Sequence, residues 1–175
     1  LPEGEPWVFS DTLGLMRDRC GKYMLTGPSR YLEVCRVLNR WMKDNVNSAI
    51  DFCCTSISVN MDYAAKLHRD SNNCGPSVCK AVGDFEGGRL GYFADDDNTM
   101  ELPMLKADHK QEAVYLDVKA DFQLFDGLRG HWVEPFKGQR LSFVFFSVSK
   151  YWKTKPSVLG ALEERGFPVP TAEWN

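Results

Sequence analysis

The chain has 175 residues, of which 43% are hydrophobic and 13% are aromatic. This length suits one domain with a sizeable core, and the composition is typical of a folded globule rather than of a disordered chain. No apolar run approaches the roughly 20 residues that a membrane-spanning helix needs, so no contact with a membrane is expected. The formal net charge of −3 excludes a long-range attraction for polyanions that rests on overall charge alone.

The N-terminal part begins with residues 1–6, which contain no Met and no signal-like apolar region. We therefore expect an excised domain or a processed product from which targeting sequence is missing. Residues 30–44 carry an apolar stripe at spacings of three and four, which predicts a helix. Pro28 and Ser29 supply its start signals, and Asn45 supplies its end. Residues 1–50 are accordingly assigned to a helical N-terminal support.

From residue 53 the chain changes to short runs rich in Ile, Val and Phe, separated by Gly, Asn and Asp. Many short strands separated by turns indicate a sandwich or a barrel, and we place this core at residues 51–150. The predicted strands are residues 53–60, 77–82, 89–93, 113–118, 121–125 and 140–149.

The C-terminal part, residues 151–175, is predicted to hold one helix and a tail, and it completes a single domain of residues 1–175. The helix covers residues 154–165, with Pro156 near its start and Gly166 at its end. The tail from residue 168 onward is either a loop or an ordered strap. Basic and aromatic residues interleave at residues 150–155, and this strip is either a solvated face or a local contact surface for a polyanion.

The cysteine pattern argues against disulfide bonds, although six cysteines are present. Cys53 and Cys54 are adjacent on a predicted strand and therefore point to opposite faces, while Cys35 lies on the apolar helix stripe. No Cys-x-x-Cys pair occurs, so a zinc knuckle is not expected. We expect reduced, mostly buried thiols and hence an intracellular protein, in the cytoplasm or the nucleus.

The residues that carry chemistry begin with His68 and Asp70, which one residue separates. In an extended segment both side chains leave the same face and converge on a common point. His131 arrives much later in the chain and completes a set of two histidines and one carboxylate. Such a set holds Fe(II) on one face and leaves positions open for an organic acid and dioxygen.

Arg140 and Ser142 follow on the next predicted strand, with side chains on one face. The arginine fork suits the far carboxylate of a chelating 2-oxo acid, and the serine hydroxyl can donate to the same group. With the two histidines and the aspartate, these residues predict a non-haem iron oxygenase that uses 2-oxoglutarate.

Several stretches in this region match motifs in a fixed order, which carries more weight than a single short motif. They are Ser58 to Tyr63, Leu67 to Ser71, Gly83 to Leu90, Phe125 to Gly127 and His131 to Phe146. Together they span roughly residues 56–147 and resemble the Fe(II)/2-oxoglutarate-dependent dioxygenase superfamily. The resemblance implies a mainly β domain with flanking helices, folded as a double-stranded β-helix (a jelly roll).

The resemblance also implies roles for individual residues. The iron ligands would be His68, Asp70 and His131, and the residues that bind 2-oxoglutarate would be Arg140, Ser142, Asn60 and Tyr63. The implied cofactors are Fe(II), 2-oxoglutarate as co-substrate and O2, with ascorbate as a reductant. The chain departs from the commoner family pattern after Tyr63, where Ala64 replaces a glycine.

Each candidate also has an ordinary structural interpretation. His68 and His131 can be core histidines, Asp70 a turn residue and Arg140 a surface charge. Asn60 and Tyr63 can be packing residues on a half-buried strand.

The neighbouring residues leave similar alternatives open. Gly87 and Gly88 either bring a strand close to the metal cavity or form a hairpin. Asn72 and Asn73 either close the metal turn or line the mouth of the cavity. The remaining histidine, His109, is interpreted as a solvated loop residue, and Trp132 as a core or rim residue.

Three classes of function remain open from the sequence. The first is a 2-oxoglutarate-dependent dioxygenase, the second a jelly-roll module that binds metal without turnover, and the third a cupin-type metal enzyme without 2-oxoglutarate. Cupins typically place extra His or Glu around the metal, and no His-x-His occurs here.

The substrate is predicted from a narrower resemblance. Residues 68–75 and the closing segment from Phe125 to Phe146 are similar to the TET/JBP-like branch, which implies oxidation of the 5-methyl group of pyrimidines in nucleic acid. A peptide or a small molecule is the alternative substrate, and no obligate protein partner is implied.

Overall fold

The computed structural model describes residues 9–26, 31–46, 50–107 and 112–170. The interpretation of His109 as a solvated loop residue therefore concerns a residue outside the described ranges. The same holds for residues 1–6 and for the last part of the C-terminal tail, residues 171–175.

The described elements are mostly strands, with one helix near each end of the chain and a short third helix between them. In chain order they are β1 (Phe9–Arg17), β2 (Tyr23–Thr26), α1 (Leu32–Asn45), β3 (Ser56–Met61), β4 (Asn73–Val82), β5 (Phe85–Gly87), β6 (Leu90–Tyr92), α2 (Leu102–Ala107), β7 (Val114–Leu116), β8 (Gln123–Phe125), β9 (His131–Val133), β10 (Phe136–Gly138), β11 (Leu141–Val148) and α3 (Pro156–Glu164).

Two layers of antiparallel strands form the core of the molecule. The major sheet has six strands in the order β2-β1-β3-β11-β4-β8, and opposite it lie a three-stranded sheet, β7-β6-β9, and the pair β10-β5. Cys79 and Ala81 of the major sheet pack against Leu90 and Tyr92 of the smaller sheet. The domain is the predicted jelly roll, mainly β with flanking helices.

Strand β11 shows how the sequence divides the two faces of the major sheet. Phe143 and Phe145 are buried in the apolar cluster that also contains Cys35 of α1 and Leu162 of α3. Ser142 and Val144 point the opposite way and line a cavity between the layers. Alternate residues of a strand leave opposite faces, so one strand serves the helix-covered core and the cavity together.

The predicted helices agree with the structure. The expected helix at residues 30–44 is α1, whose Cys35 and Met42 are buried against the major sheet, and the expected helix at 154–165 is α3. The start of the tail is an ordered strap, because the backbone N–H of Cys54 donates to the carbonyl of Pro168 and the Tyr151 hydroxyl donates to that of Pro170.

The assignment of residues 1–50 to a helical support is wrong in its first part. Strands β1 and β2 precede α1, and β1 pairs with β3 over Phe9 to Gly14. The run from Ser10 to Thr12 is polar because Ser10 and Thr12 line the cavity, whereas Leu13 and Leu15 further along β1 are buried in the core. Hydrogen bonds to β3, distant in sequence, make this segment a strand.

The two glycines at 87 and 88 separate strands of different sheets and do not form a hairpin. Strand β5 pairs with β10, whereas β6 pairs with β7 and β9. Gly88 has a φ of +67°, and a Cβ there would lie 3.1 Å from Nε of Arg140. Gly88 therefore brings the backbone close to the cavity residue Arg140, as in the first of the two alternatives, whereas Gly87 lies against the carbonyl of Pro135.

Trp132 packs on the outer side of the smaller sheet, as a core or rim residue. Its ring lies between Phe93 and Tyr115, with centroid distances of 5.3 and 5.9 Å, and it covers Gly91. A Cβ on Gly91 would overlap the indole, which its aromatic neighbours hold in place.

Gly91→Ala is therefore expected to destabilise the fold by about 1–3 kcal/mol, the usual cost of overpacking. For a chain of this size that lowers Tm by roughly 2–12 °C in a thermal unfolding experiment. The control is Gly160→Ala in α3, where a Cβ has open space and alanine is the better helix former, so Tm should rise. An unchanged Tm for Gly91→Ala would contradict this account of the packing.

The cysteines are free thiols, and burial raises the pKa of Cys79 to about 11. A buried thiol with a high pKa stays protonated at neutral pH and is a poor nucleophile. Within the described ranges, none of the helices has the length and apolar character needed to cross a bilayer.

Candidate active site

A cavity of about 290 Å³ lies between the two layers, and the predicted site residues line it. They are His68, Asp70, His131, Arg140, Ser142, Asn60 and Tyr63. The ordinary structural interpretations, a surface arginine and unrelated core histidines, do not explain this convergence of residues from separate parts of the chain.

The two histidines and the aspartate point their ligating atoms at a common centre. Asp70 Oδ1 lies 3.6 Å from His68 Nε2, and Asp70 Oδ2 lies 3.7 Å from His131 Nε2. All three candidate ligand atoms lie within 4.8 Å of one another. Metal–ligand bonds of about 2.1 Å at right angles place neighbouring ligand atoms about 3 Å apart, so a small contraction of this cluster suits a metal ion.

Backbone hydrogen bonds hold the two histidines side by side. His68 and His131 form an isolated antiparallel bridge in which each N–H donates to the carbonyl of the other at 3.0 Å. Asp70 is tied separately, through its N–H, to the carbonyl of Gly127 at 2.8 Å. The segment that carries His68 and Asp70 is extended only as this bridge and does not belong to a longer strand.

Hydrogen bonds to the far side of each imidazole select the tautomer that a metal requires. His68 Nδ1 donates to the carbonyl of Lys66 at 2.7 Å, and His131 Nδ1 donates to the carbonyl of Arg129 at 2.8 Å. With the proton on Nδ1, the lone pair of each ring is on Nε2, which faces Asp70. Both Nε2 atoms, which could bind a metal ion, are thereby oriented toward Asp70.

The electrostatics favour a neutral imidazole at His131. Burial lowers the pKa of His131, and the neighbouring His68 lowers it further, against the hydrogen bond to Arg129 and the charge of Asp70. Below its ordinary pKa of about 6.5 a histidine is protonated and cannot ligate, so this shift widens the pH range in which the ring can bind a metal.

Asn73 supports the carboxylate of Asp70, and the sequence had left two roles open for it. Its Nδ2 donates to Asp70 Oδ2 at 3.1 Å, while its backbone N–H donates to the Asp70 carbonyl. Asn73 therefore closes the turn after Asp70 and also lines the cavity, so both alternatives hold.

Among the described residues Arg140 is the largest fully buried side chain, with 2% of its surface exposed. Its guanidinium carbon lies 5.6 Å from the ring centroids of Phe85 and Phe136. Its Nε has no hydrogen-bond partner, and no ion pair with a described carboxylate involves it. Burial lowers the pKa of Arg140, against the opposing effect of Cys79. A buried cation without a partner is costly, so this group is suited to an anion that enters the cavity.

The position of Arg140 is set by a residue that the sequence motifs did not single out for this role. The backbone N–H of Arg140 donates to Asp62 Oδ1 at 2.7 Å, and the N–H of Asp62 donates to the Arg140 carbonyl at 2.8 Å. Asp62 adopts a left-handed conformation with a φ of 50° at the end of β3. These two hydrogen bonds join β3 to the start of β11 beside the guanidinium.

Ser142 and Asn60 face the cavity from neighbouring strands. They are directly opposite in the β3–β11 pairing, and Ser142 is buried. Asn60 Oδ1 accepts hydrogen bonds from Ser10 at 2.7 Å and from Ser58 at 3.3 Å, which fixes the orientation of the amide. Tyr63 is half-buried on the cavity wall. The polar wall of the cavity thus includes hydroxyls of β1, which the sequence analysis did not predict.

The basic and aromatic strip at residues 150–155 lies away from this cavity. Tyr151 is buried, its hydroxyl donates to Pro170, and Trp152 packs edge-on against it at 5.3 Å. Both line a separate cavity of about 160 Å³ with Cys53 and Cys74. The strip therefore does not supply stacking residues around the mouth of the candidate active site.

Comparison with known proteins gives similarity in structure only. No protein-family model matches the chain, and no curated protein matches its sequence.

Solved structures share its architecture, and two of them are compared with it. NgTET1 in complex with 5mC DNA is 16% identical with a TM-score of 0.54, over 89% of this chain and 69% of that one. A 2OG-Fe(II) oxygenase family oxidoreductase from Burkholderia pseudomallei is 14% identical with a TM-score of 0.54, over 79% of this chain and 67% of that one. The chain therefore shares the fold of these two proteins, which confirms the predicted jelly roll.

Proposed function

We propose that this protein is an Fe(II)- and 2-oxoglutarate-dependent dioxygenase that oxidises a C–H bond of its substrate. The observation that carries the proposal is Arg140, a buried cation without an anionic partner, in the same cavity as a cluster of two histidines and an aspartate. A metal site alone needs no such cation, whereas a metal-chelating dicarboxylate does.

The residues present fit an iron ion. Two neutral imidazoles and one carboxylate are the ligand set of non-haem Fe(II) oxygenases, and His68, Asp70 and His131 would hold the ion. When bound, iron would supply the activation of dioxygen, with one oxygen atom used in the oxidative decarboxylation of 2-oxoglutarate to succinate and CO2 and the other transferred to the C–H bond of the substrate. Ascorbate would serve as a reductant that keeps iron in the ferrous state.

The protein itself would position 2-oxoglutarate and shield its carboxylate from water. Arg140 would bind the far carboxylate of 2-oxoglutarate in a two-pronged hydrogen bond, with Ser142 as a second donor. Asn60 and Tyr63 would hydrogen-bond the same molecule from the cavity wall. Phe85 and Phe136, which flank the guanidinium, exclude water and strengthen the ion pair that forms there.

The same observation separates this proposal from its alternatives. A binding module without turnover and a cupin-type enzyme without 2-oxoglutarate both account for the metal cluster, but neither accounts for an unpartnered buried arginine. We expect succinate to form when Fe(II), O2 and 2-oxoglutarate are supplied, and we expect Asp70→Ala to form none. Equal succinate from both proteins would reject the dioxygenase proposal.

For the substrate we propose a 5-methylpyrimidine base in nucleic acid. The structural neighbour solved with 5mC DNA supports this choice. A base that leaves its stack needs an apolar or aromatic slot, and Phe125, Phe146 and Val133 line the cavity beside the metal cluster. A peptide or small-molecule substrate of the same mechanism is the alternative.

The substrate proposal is tested with oligonucleotides that contain methylcytosine or thymine. We expect an oxidised methyl product, detected by mass spectrometry, and binding that weakens as salt increases. The matched control is Asp70→Ala, which should bind the strand but form no product. If neither single nor double strands yield product or salt-dependent binding while succinate still forms, the substrate is a peptide or a metabolite.

A further inference from the structure

One buried carboxylate outside the metal cluster, that of Asp96, contacts both chain segments that carry the candidate metal ligands. Asp96 lies in the loop after β6, and its side chain is fully buried. Oδ2 accepts hydrogen bonds from Arg69 Nε at 2.7 Å and from the backbone N–H of Gly130 at 2.6 Å. Oδ1 accepts from a terminal nitrogen of Arg69 at 2.6 Å and from the N–H of Asn98 at 3.0 Å.

Two of the three partners of Asp96, Arg69 and Gly130, are adjacent in sequence to the candidate ligands. Arg69 stands between His68 and Asp70, and Gly130 immediately precedes His131. In the extended segment the Arg69 side chain leaves the face opposite to His68 and Asp70, so it reaches Asp96 behind the metal cluster. Asp96 is therefore hydrogen-bonded, for each of the three ligands, to a residue that is its direct neighbour in the sequence.

Few other interactions hold the segment that carries His68 and Asp70. Its backbone is attached to β9 by the bridge to His131 and by a hydrogen bond from the Val133 N–H to the Ala65 carbonyl. Asp70 is bound through its N–H to Gly127 and through its carbonyl to the N–H of Asn73, and the segment belongs to none of the longer strands described. Arg69 adds a further hydrogen bond to the Met100 carbonyl at 2.9 Å. The ion pair of Arg69 and Asp96 thus adds a charged side-chain contact to the few backbone hydrogen bonds that hold this segment.

We propose that Asp96 is a positioning residue that holds the two ligand-bearing segments in register for metal binding. This inference rests on the proposed metal site. Its contacts reach the ligands through Arg69 and Gly130, and Asp96 itself is not among the residues that line the cavity. Groups that orient the ligands of a metal typically contribute about 10- to 100-fold to metal affinity.

The test uses Co(II) as the probe, because its visible absorption reports both occupancy and ligand geometry. We expect Asp96→Asn and Arg69→Gln each to weaken Co(II) binding by about 10- to 100-fold and to alter the spectrum of the bound ion. Arg69→Lys keeps the charge but not the two-pronged contact, and its affinity should lie between those of the wild type and Arg69→Gln.

The control is Glu134→Gln, which breaks a comparable ion pair elsewhere. Glu134 pairs with Arg89 at 2.7 Å on the outer side of the smaller sheet, without contact to the residues that flank the ligands. We expect this variant to bind Co(II) like the wild type with an unchanged spectrum, even where thermal unfolding of the metal-free protein shows lower stability.

The outcomes separate the two proposals. Wild-type affinity and spectrum in both Asp96→Asn and Arg69→Gln would overturn the positioning role while the proposed function stands. If the wild type binds no Co(II), the proposed function falls and the positioning role falls with it. If Asp96→Asn does not fold, the partly exposed Arg69 decides the question through its glutamine variant.

Discussion

Asp70→Ala is expected to abolish metal binding and turnover while the domain remains folded. Asp70 supplies the only carboxylate of the metal cluster among the described residues, and its loss leaves two imidazoles that neutralise no charge on Fe(II). His131→Ala should have a similar effect, because its Nε2 is the buried ligand atom of the set. The measurement is Fe(II) or Co(II) titration by calorimetry, with circular dichroism as the check on folding.

Asp70→Glu is the informative control, because it keeps the charge and moves the oxygens by about one bond length. We expect it to fold and to retain part of the metal affinity, but to lose most of the turnover, since the ligand geometry no longer suits the co-substrate. Undiminished affinity in Asp70→Ala would show that these residues do not form the metal site.

The pH dependence of metal binding should follow the fraction of each ligand histidine that is neutral. Burial lowers the pKa of His131, so the neutral ring that binds metal predominates from neutral pH down to values below about 6.5. Affinity should therefore be retained at neutral pH and fall on acidification, because protons then compete with the metal for Nε2.

Much of the candidate site could be predicted from the sequence because most of its residues are close neighbours in the chain. His68 and Asp70 share a face through their spacing, and Arg140 and Ser142 share a face through theirs, so the alternation of an extended chain sets each pair. The contact between His131 and His68 could not be predicted from sequence spacing, since it depends on a β-bridge between distant segments. The ordered family motifs supplied that connection.

The supporting contacts escaped prediction because each depends on tertiary structure. Asp62 binds the backbone of Arg140 from 78 residues away, and Asp96 binds Arg69 from 27 residues away. An aspartate in a loop carries no signal that distinguishes a solvated charge from a buried acceptor. Strand β1 was missed for a related reason, since its first part is polar, lines the cavity through Ser10 and Thr12, and is stabilised by pairing with the distant β3.

Arg140→Ala is expected to leave metal affinity nearly intact and to remove most of the affinity for 2-oxoglutarate. The guanidinium is not a metal ligand, but the co-substrate carboxylate would enter a buried, largely apolar setting without it. Loss of one partner of a buried charged pair costs about 2–5 kcal/mol, which corresponds to a rise of roughly 30- to several-thousand-fold in KM for 2-oxoglutarate. The measurement is succinate formation as a function of 2-oxoglutarate concentration.

Two further variants distinguish a binding role from a structural one. Arg140→Lys keeps a charge but lacks the planar fork, so it should restore only part of the affinity. Arg140→Met fills similar space without charge, and since the arginine is unpartnered in the free protein, the Tm of the metal-free chain should stay the same or rise. Function and stability would then move in opposite directions at one residue, as expected for a group buried in order to bind a ligand. Normal 2-oxoglutarate binding by Arg140→Ala would instead assign the carboxylate to another basic residue.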